Sequence, residues 1–140
     1  MKALKIGIIL LISFSLLSFS THRKMNKKIV GVWIFSDFQN AIYEYSKEKA
    51  LVQNKGGFQF KKNGKMIIRQ NIGWCGTPPI SYGNNEGTWQ KIGSSKISMQ
   101  YKYWGGEIIE KWEIKCIGQQ NMSVKVLDSK SIRREYEKKD

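Results

Sequence analysis

Few side chains in this 140-residue chain could act as a nucleophile, a base or a metal ligand. The single histidine, His22, precedes the first predicted strand, so no histidine inside the predicted fold could serve a Ser or Cys nucleophile as its base. Two cysteines, Cys75 and Cys116, without a CxxC or HxxxH pair, fall short of the ligands of a zinc site. No glycine-rich phosphate loop precedes a helical pattern. The sequence therefore predicts no catalytic residue, no metal and no cofactor.

Glu110 is the acidic residue whose position suggests a chemical role. In EIIEKWEIKC (residues 107–116) apolar and charged residues alternate, and Glu110 falls on the same face as Ile108 and Trp112. An inward glutamate could bind a polar ligand or pair with an inward cation such as Arg134. A strand bulge, or a position near the open rim that water reaches, would explain the glutamate without any function. A glycosidase needs two such carboxylates. An enzyme that uses Glu110 with a tyrosine or an arginine is kept as an alternative to the non-enzymatic prediction.

The first twenty residues have the pattern of a secretory signal peptide. A basic start, MKALK, precedes fourteen residues (6–19) of apolar side chains, serines and one glycine, which is shorter than the roughly 20 residues of a membrane span. We predict cleavage after Ser20, with an uncleaved anchor as the alternative. The predicted parts are a signal peptide over 1–20, a basic linker over 21–28 and one folded domain over 29–138. The mature protein is expected in the periplasm or outside the cell, without a membrane span.

Export would place the two cysteines in a compartment where they can form a disulfide. An oxidising compartment favours a disulfide between Cys75 and Cys116, and two free thiols are the alternative. Alternation places Cys116 on the inward face of its strand. Cys75 lies in GWCGTPPISYGNNEGTW (residues 73–89), where Pro78 and Pro79 prevent regular strand pairing. A disulfide that closes this loop of about 40 residues would contribute about 4 kcal/mol to the stability of the fold. We predict that the proline-containing segment is a rigid connection that covers one end of the fold.

Alternation with a period of two dominates the rest of the chain and predicts strands. Eight strands are predicted, over about 29–36, 57–62, 65–71, 86–92, 96–103, 107–117, 121–127 and 131–137. Asn63-Gly64 predicts a tight hairpin turn, whereas residues 41–51 predict a helix or a long loop. Short turns between half-polar strands favour an all-β fold, an eight-stranded antiparallel up-and-down barrel, because closure removes exposed strand edges. A β-sandwich is the alternative.

The predicted first strand contains a Gly-x-Trp motif in the segment IVGVW (residues 29–33). This motif at the start of an eight-stranded meander resembles the lipocalins and the wider calycin group. Over 29–136 the chain looks most like small exported bacterial lipocalin-like domains. The resemblance implies that Trp33 packs at the closed end of the barrel under a basic residue of the last strand, either Arg133 or Arg134. It also implies a ligand inside the barrel.

Bulky side chains on the inward face leave two possibilities, a hollow barrel or a filled one. Eight strands make a barrel that side chains can fill, so core packing is the expected role of most of them. The inward set is Trp33, Phe58, Phe60, Met66, Ile68, Trp89, Met99, Tyr101, Trp112 and Ile114. The candidate ligand contacts are Trp33, Phe60, Met66, Ile68, Trp89, Met99, Tyr101, Glu110 and Trp112.

Charge narrows the range of partners. The net charge of +13 falls to +11 when the signal peptide takes away Lys2 and Lys5 and no acid. An exported basic protein meets anionic envelope surfaces, so nucleic acid is not expected as a partner. The first hypothesis is a monomeric protein that binds a small apolar molecule in its barrel. The alternative is a solid barrel that binds an envelope protein or an anionic glycan through its basic surface and the aromatic residues Trp74, Tyr82 and Trp104.

Overall fold

The alternating segments fold into eight antiparallel strands that close into a barrel. The computed structural model describes residues 27–73 and 76–133. Its strands are β1 (Gly31–Gln39), β2 (Ile42–Glu48), β3 (Gly57–Phe60), β4 (Lys65–Asn71), β5 (Tyr82–Lys91), β6 (Lys96–Tyr103), β7 (Gly106–Ile117) and β8 (Asn121–Arg133). The predicted all-β fold and closed barrel are confirmed, and the sandwich alternative is wrong. The predicted signal peptide lies outside the described residues.

The strand order departs from a simple meander at the β1–β2 hairpin. Around the barrel the order is β1-β2-β8-β7-β6-β5-β4-β3, so β3 to β8 follow one another, whereas β2 lies beside β8 and β1 beside β3. The connection 49–56 must therefore cross β1. Val32 and Ile34, on the outer face of β1, are both buried, which places the connection over them. Arg69 holds it there, because its Nε and Nη2 donate to the Gln53 carbonyl oxygen at 3.0 and 2.7 Å.

Residues 41–51 contain β2, so the prediction of a helix or a long loop there is wrong. Tyr43 and Tyr45 alternate with more polar neighbours, as a half-buried strand requires. Asn40 and Ala41 form the turn before β2, with φ angles of 51° and 62°. Positive φ at both central residues is the geometry of the type I′ hairpin turn, which suits the right-handed twist of paired strands.

The last predicted strand, 131–137, is not a separate element. β8 runs without a break for 13 residues, and Ile132 near its end pairs with Glu107 at the start of β7. Residues 134–137 lie outside the described part of the chain. The predicted number of strands is correct because β2 takes the place of this strand.

The two ends of the barrel are built differently. The closed end holds the β3–β4, β5–β6 and β7–β8 turns. There the predicted Asn63-Gly64 turn is confirmed by the positive φ of Gly64 (78°) and by the bond from the Lys65 amide to Asn63 Oδ1 (3.1 Å). Trp89 Nε1 donates to the Lys61 carbonyl oxygen at 2.9 Å. The open end holds the β1–β2 turn, the β4–β5 connection (72–81) and the β6–β7 turn.

The ten bulky side chains of the predicted inward set, from Trp33 to Ile114, are all buried in the core. Tyr45, Ile97, Met122 and Val124 join this set, so all eight strands contribute apolar side chains to the interior. Among the described residues, no polar or charged side chain is fully buried. Burial of apolar surface in the barrel is therefore the main stabilising contribution of the fold.

Lys47 is the basic residue that covers Trp33. Its Nζ lies 5.0 Å from the centre of the indole ring, and Trp33 Nε1 donates to the carbonyl oxygen of Ile29 at 2.7 Å. A Cβ on Gly31, where φ is +135°, would lie 3.0 Å from Lys47 Cε. The glycine of the Gly-x-Trp motif therefore leaves room for the lysine stem that lies over the tryptophan.

The prediction that Arg133 covers Trp33 is wrong. β8 carries Arg133 to the open end of the barrel, where it pairs with Gly106, whereas Trp33 packs at the closed end. The strand order explains the difference, because β1 lies between β2 and β3 and does not pair with β8, and Lys47 of β2 is the cross-strand partner of Trp33. Arg134, the other candidate, lies outside the described residues.

Lys47→Met is expected to lower the free energy of unfolding by about 0.5–1 kcal/mol, because it keeps the apolar stem and removes the charge that faces the indole ring. Urea denaturation measures the change. Lys62→Met, at an exposed position of the β3–β4 turn, is the control and should change stability by no more than about 0.5 kcal/mol. An equal cost for the two substitutions would show that the contact with Trp33 contributes nothing.

Cys116 points outward, so its predicted inward orientation is wrong. The β7–β8 register shifts between Ile114 and Cys116, and such a bulge moves the following residue to the other face of the strand. Cys116 is exposed at the closed end. Cys75 lies outside the described residues. A disulfide needs Cα atoms within about 7 Å, and the Cys75–Cys116 pairing stays a prediction.

Candidate binding site at the open end

Aromatic rings from opposite walls meet on the barrel axis. β3 and β7 are four positions apart among eight strands and are therefore diametrically opposed, yet the rings of Phe58 and Trp112 lie only 4.9 Å apart, edge to face. Tyr45 and Tyr101 complete this layer, with ring centres 5.9 and 6.2 Å from Phe58. Side chains therefore fill the barrel at this level, and we call these four residues the aromatic floor.

Glu110 lies above the aromatic floor, on the side of the open end. Trp112 Nε1 donates to its Oε2 at 2.9 Å, and Ser129 Oγ donates to its Oε1 at 3.3 Å. Tyr101 lies close enough for the negative charge of Glu110 to raise the pKa of its hydroxyl. Glu110 is partly exposed, and its position above Trp112 agrees with the inward orientation that alternation predicts. We call Glu110 and the residues around it the open-end site; its members are Tyr43, Tyr45, Tyr101, Glu110, Trp112 and Ser129.

Tyr45 and Tyr101 resist ionisation at the open-end site. Burial first, and then the negative charge of Glu110, raise the pKa of Tyr45 and Tyr101 well above its ordinary value of 10.0. Gly87 allows Tyr101 to take its place, because a Cβ at Gly87 would lie 2.7 Å from the Tyr101 Cβ and 2.5 Å from a backbone oxygen of β6. Side chains of β6, β7 and β8 thus hold the Glu110 carboxylate without adding a charge of their own.

A line of aromatic rings leads from the floor to the rim of the barrel. Ring centres are 6.1 Å apart from Tyr45 to Phe35, 6.3 Å from Phe35 to Tyr43, and 4.5 Å from Tyr43 to Phe38. Phe35 and Phe38 are 40% and 50% exposed. All four residues belong to the β1–β2 hairpin, and we call them the aromatic ladder. The ladder offers continuous apolar surface from the interior to solvent.

Exposed apolar side chains are concentrated at the open end. Among the described residues, six of the nine large hydrophobic side chains that are exposed lie there; they are Phe35, Phe38, Ile72, Ile80, Trp104 and Ile132. They come from β1, from the β4–β5 and β6–β7 connections and from β8, so only the closed barrel brings them together. We call this set the apolar rim. Apolar patches of this kind on a small protein are typical of ligand or partner contacts.

The residues predicted to contact a ligand divide into two groups. Tyr101, Glu110 and Trp112 meet at the open-end site. The other six are buried in the core; they are Trp33, Phe60, Met66, Ile68, Trp89 and Met99. Sequence reasoning missed Tyr43 and Tyr45 because their segment was assigned to a helix or a loop. The alternation of aromatic and polar residues in IYEYSKE is the signal that could have identified them.

A groove of about 420 Å³ also lies on the outer surface of β4 to β7. Its charged side chains are Lys61, Lys65, Glu86, Lys102 and Glu107. Because these charges are of mixed sign and lie on the outer face, they indicate a solvated surface more than a specific site. Within the described residues, no three His, Cys, Asp or Glu side chains are grouped so that they could hold a metal ion. No helix in that part of the chain is long and apolar enough to cross a membrane.

Comparison with known proteins identifies no relative. No family model, no characterised protein and no solved structure matches this chain. The conclusion that stands is architectural: the chain forms an eight-stranded antiparallel closed barrel, which is consistent with a lipocalin-like fold.

Proposed function

We propose that this protein is an exported, non-enzymatic, lipocalin-like binding protein that holds a small molecule at the open end of its barrel. The observation that carries the proposal is the contact between Phe58 and Trp112 across the barrel axis (4.9 Å), with the partly exposed Glu110 above it. Rings that meet from opposite walls leave no room for a ligand at their level. The proposed ligand therefore lies between the aromatic floor and the rim, in a more polar site than the apolar interior expected from the sequence.

The composition of the open-end site supports this proposal. Small-molecule sites combine apolar and aromatic walls with a few polar groups that converge on one place. Here Glu110, Ser129 and the Tyr101 hydroxyl converge, and the aromatic ladder supplies an apolar wall. The bond from Trp112 fixes the carboxylate before any ligand arrives, and a fixed polar group costs less to order on binding.

The apolar rim supports a second candidate, in which the barrel is solid and its open end docks an envelope protein or a glycan. Trp104, at 53% exposure, is the residue most suited to such a contact, since aromatic residues are enriched where proteins meet. The net positive charge would favour an anionic partner. In this case Trp104→Ala abolishes partner binding, whereas substitutions around Glu110 have no effect.

Titration with Nile red, a neutral dye that fluoresces in apolar surroundings, tests the open-end site. We expect saturable binding of one dye molecule per chain. We expect Ser129→Phe to bind at least about tenfold more weakly, because the larger side chain would occupy the space beside the Glu110 carboxylate that the Ser129 hydroxyl now contacts.

Lys130→Phe is the matched control, because Lys130 is the next residue of β8 and is exposed. Its side chain points to the other face of the strand, so we expect wild-type affinity for Nile red. Equal loss of binding in both variants, or no saturable binding to the wild type, would count against the open-end site and in favour of the docking candidate.

A further inference from the structure

We infer that the ligand of the open-end site is an amphiphilic organic cation, with an amine or quaternary ammonium head on an apolar body. The inference rests on the proposed function and adds the chemical class of the ligand to it. Its basis is the presence of one carboxylate, several aromatic rings and an exposed apolar rim at the same end of one barrel.

The Glu110 carboxylate accepts hydrogen bonds from neutral groups. Its described partners are the Trp112 indole N–H and the Ser129 hydroxyl, and the neutral Tyr101 side chain lies nearby. Within residues 27–73 and 76–133, no Lys or Arg nitrogen lies within 4.0 Å of this carboxylate. A partly buried carboxylate without a counter-charge is electrostatically unfavourable. No Lys or Arg of the described residues supplies this counter-charge, a cationic head would supply it, and the carboxylate has lone pairs to spare for it.

Aromatic rings beside the carboxylate strengthen the preference for a cation. Above the buried aromatic floor, Phe35 and Tyr43 keep part of their ring surface accessible, with ring centres 6.3 Å apart. The negative face of an aromatic ring attracts an ammonium group, and rings grouped around one point are the usual way in which proteins recognise such heads. A tyrosine with the ordinary pKa of about 10 is neutral at physiological pH, and the raised pKa of Tyr45 and Tyr101 keeps both neutral at higher pH as well.

The aromatic ladder explains why the cation should carry an apolar body. A head at Glu110 leaves the rest of the ligand directed toward the rim, along Phe35, Tyr43 and Phe38. Phe35 and Phe38 expose apolar ring surface to water, and a ligand that covers this surface gains the hydrophobic free energy of its burial. A hydrophilic cation such as free ammonium would gain only the contact with the carboxylate.

The net charge of the protein makes the preference testable. The chain carries 24 Lys and Arg against 11 Asp and Glu, so long-range electrostatics favours anionic ligands. A preference for a cation must therefore come from a local site. If the affinity followed overall charge, an anionic amphiphile would bind best.

Isothermal titration calorimetry with octylamine, octanol and octanoate at pH 7 compares three head groups on the same alkyl chain. We expect the wild type to bind octylamine at least about tenfold more tightly than octanol or octanoate. Glu110→Gln keeps the shape of the side chain and removes its charge, so we expect the preference for octylamine to fall to about twofold or less. Glu107→Gln, on the same strand, should keep the full preference because Glu107 bonds to Gln100 and not to the site.

Each result of this comparison is informative. Equal affinity for the three heads, with binding still lost in Ser129→Phe, overturns the cation inference and leaves the proposed function standing. Tighter binding of octanoate overturns it as well and assigns selectivity to the overall charge. If neither Nile red nor any of the three compounds binds, the proposed function and the inference fall together. The order of affinities in the wild type decides the question whether or not Glu110→Gln folds.

Discussion

Phe58→Ala is expected to lower the free energy of unfolding by about 3–5 kcal/mol. Phe58 lies at the centre of the barrel, where its ring contacts Tyr45, Tyr101 and Trp112 from three other strands. Truncation removes these contacts and leaves a cavity on the axis, where the surrounding strands cannot collapse because the barrel is closed. A small domain has about 5–15 kcal/mol of net stability, so this single substitution should bring the protein close to unfolding.

Phe38→Ala is the matched control, because it removes the same side chain from an exposed position. Phe38 is 50% exposed and contacts Tyr43, so we expect a loss of about 1 kcal/mol at most. Urea denaturation of both variants, followed by far-ultraviolet circular dichroism, gives the two values. Similar losses for Phe58 and Phe38 would mean that the axis is not filled and would reopen the possibility of a ligand deep in the barrel.

Alkaline pH is expected to destabilise the protein steeply. Burial, reinforced by the charge of Glu110, raises the pKa of Tyr45 and Tyr101 in the folded state above 10.0. In the unfolded chain both tyrosines ionise near pH 10. Their contribution to stability is therefore fully present below about pH 10 and is lost as the pH rises toward the folded-state pKa. With two groups, the free energy of unfolding should fall by about 2.7 kcal/mol per pH unit above pH 10.

Urea denaturation at a series of pH values from about 9 to 11.5 measures this slope. The double variant Tyr45→Phe/Tyr101→Phe keeps both rings and removes both hydroxyls, so its stability should be nearly independent of pH over the same range. Tyrosinate absorbance gives a second measurement, since two tyrosines should ionise only as the wild-type protein unfolds. A wild-type slope no steeper than that of the double variant would show that these hydroxyls are accessible to ionisation in the folded state.

Local alternation explains why most of the interior could be predicted from the sequence. Successive side chains of a strand point to opposite faces, so the pattern itself assigns Phe58, Trp112 and Glu110 to the inward face without knowledge of any neighbour. The Asn63-Gly64 turn was predicted from its residue types, because the backbone angles of a tight turn favour asparagine and glycine.

Pairing between strands explains most of the features that the sequence did not predict or predicted wrongly. The β7–β8 register shifts between Lys111 and Trp112 and again between Ile114 and Cys116. The first shift pairs Ser129 with Glu110 and adds its hydroxyl to the site, and the second turns Cys116 outward. Alternation predicts neither, because a bulge inserts one residue and reverses every later assignment along the strand.

The sequence by itself determined the all-β class, most of the buried set and the inward position of Glu110, since each follows from local periodicity. It favoured a closed barrel over a sandwich, and the strand pairing of the tertiary structure decided between them. Only the tertiary structure decided which strands are neighbours, and therefore that Lys47 and not Arg133 covers Trp33. It alone showed that the Phe58 and Trp112 rings meet across the axis. Periodicity specifies the direction of a side chain, whereas the space that remains inside a barrel depends on how far side chains from opposite walls reach toward each other.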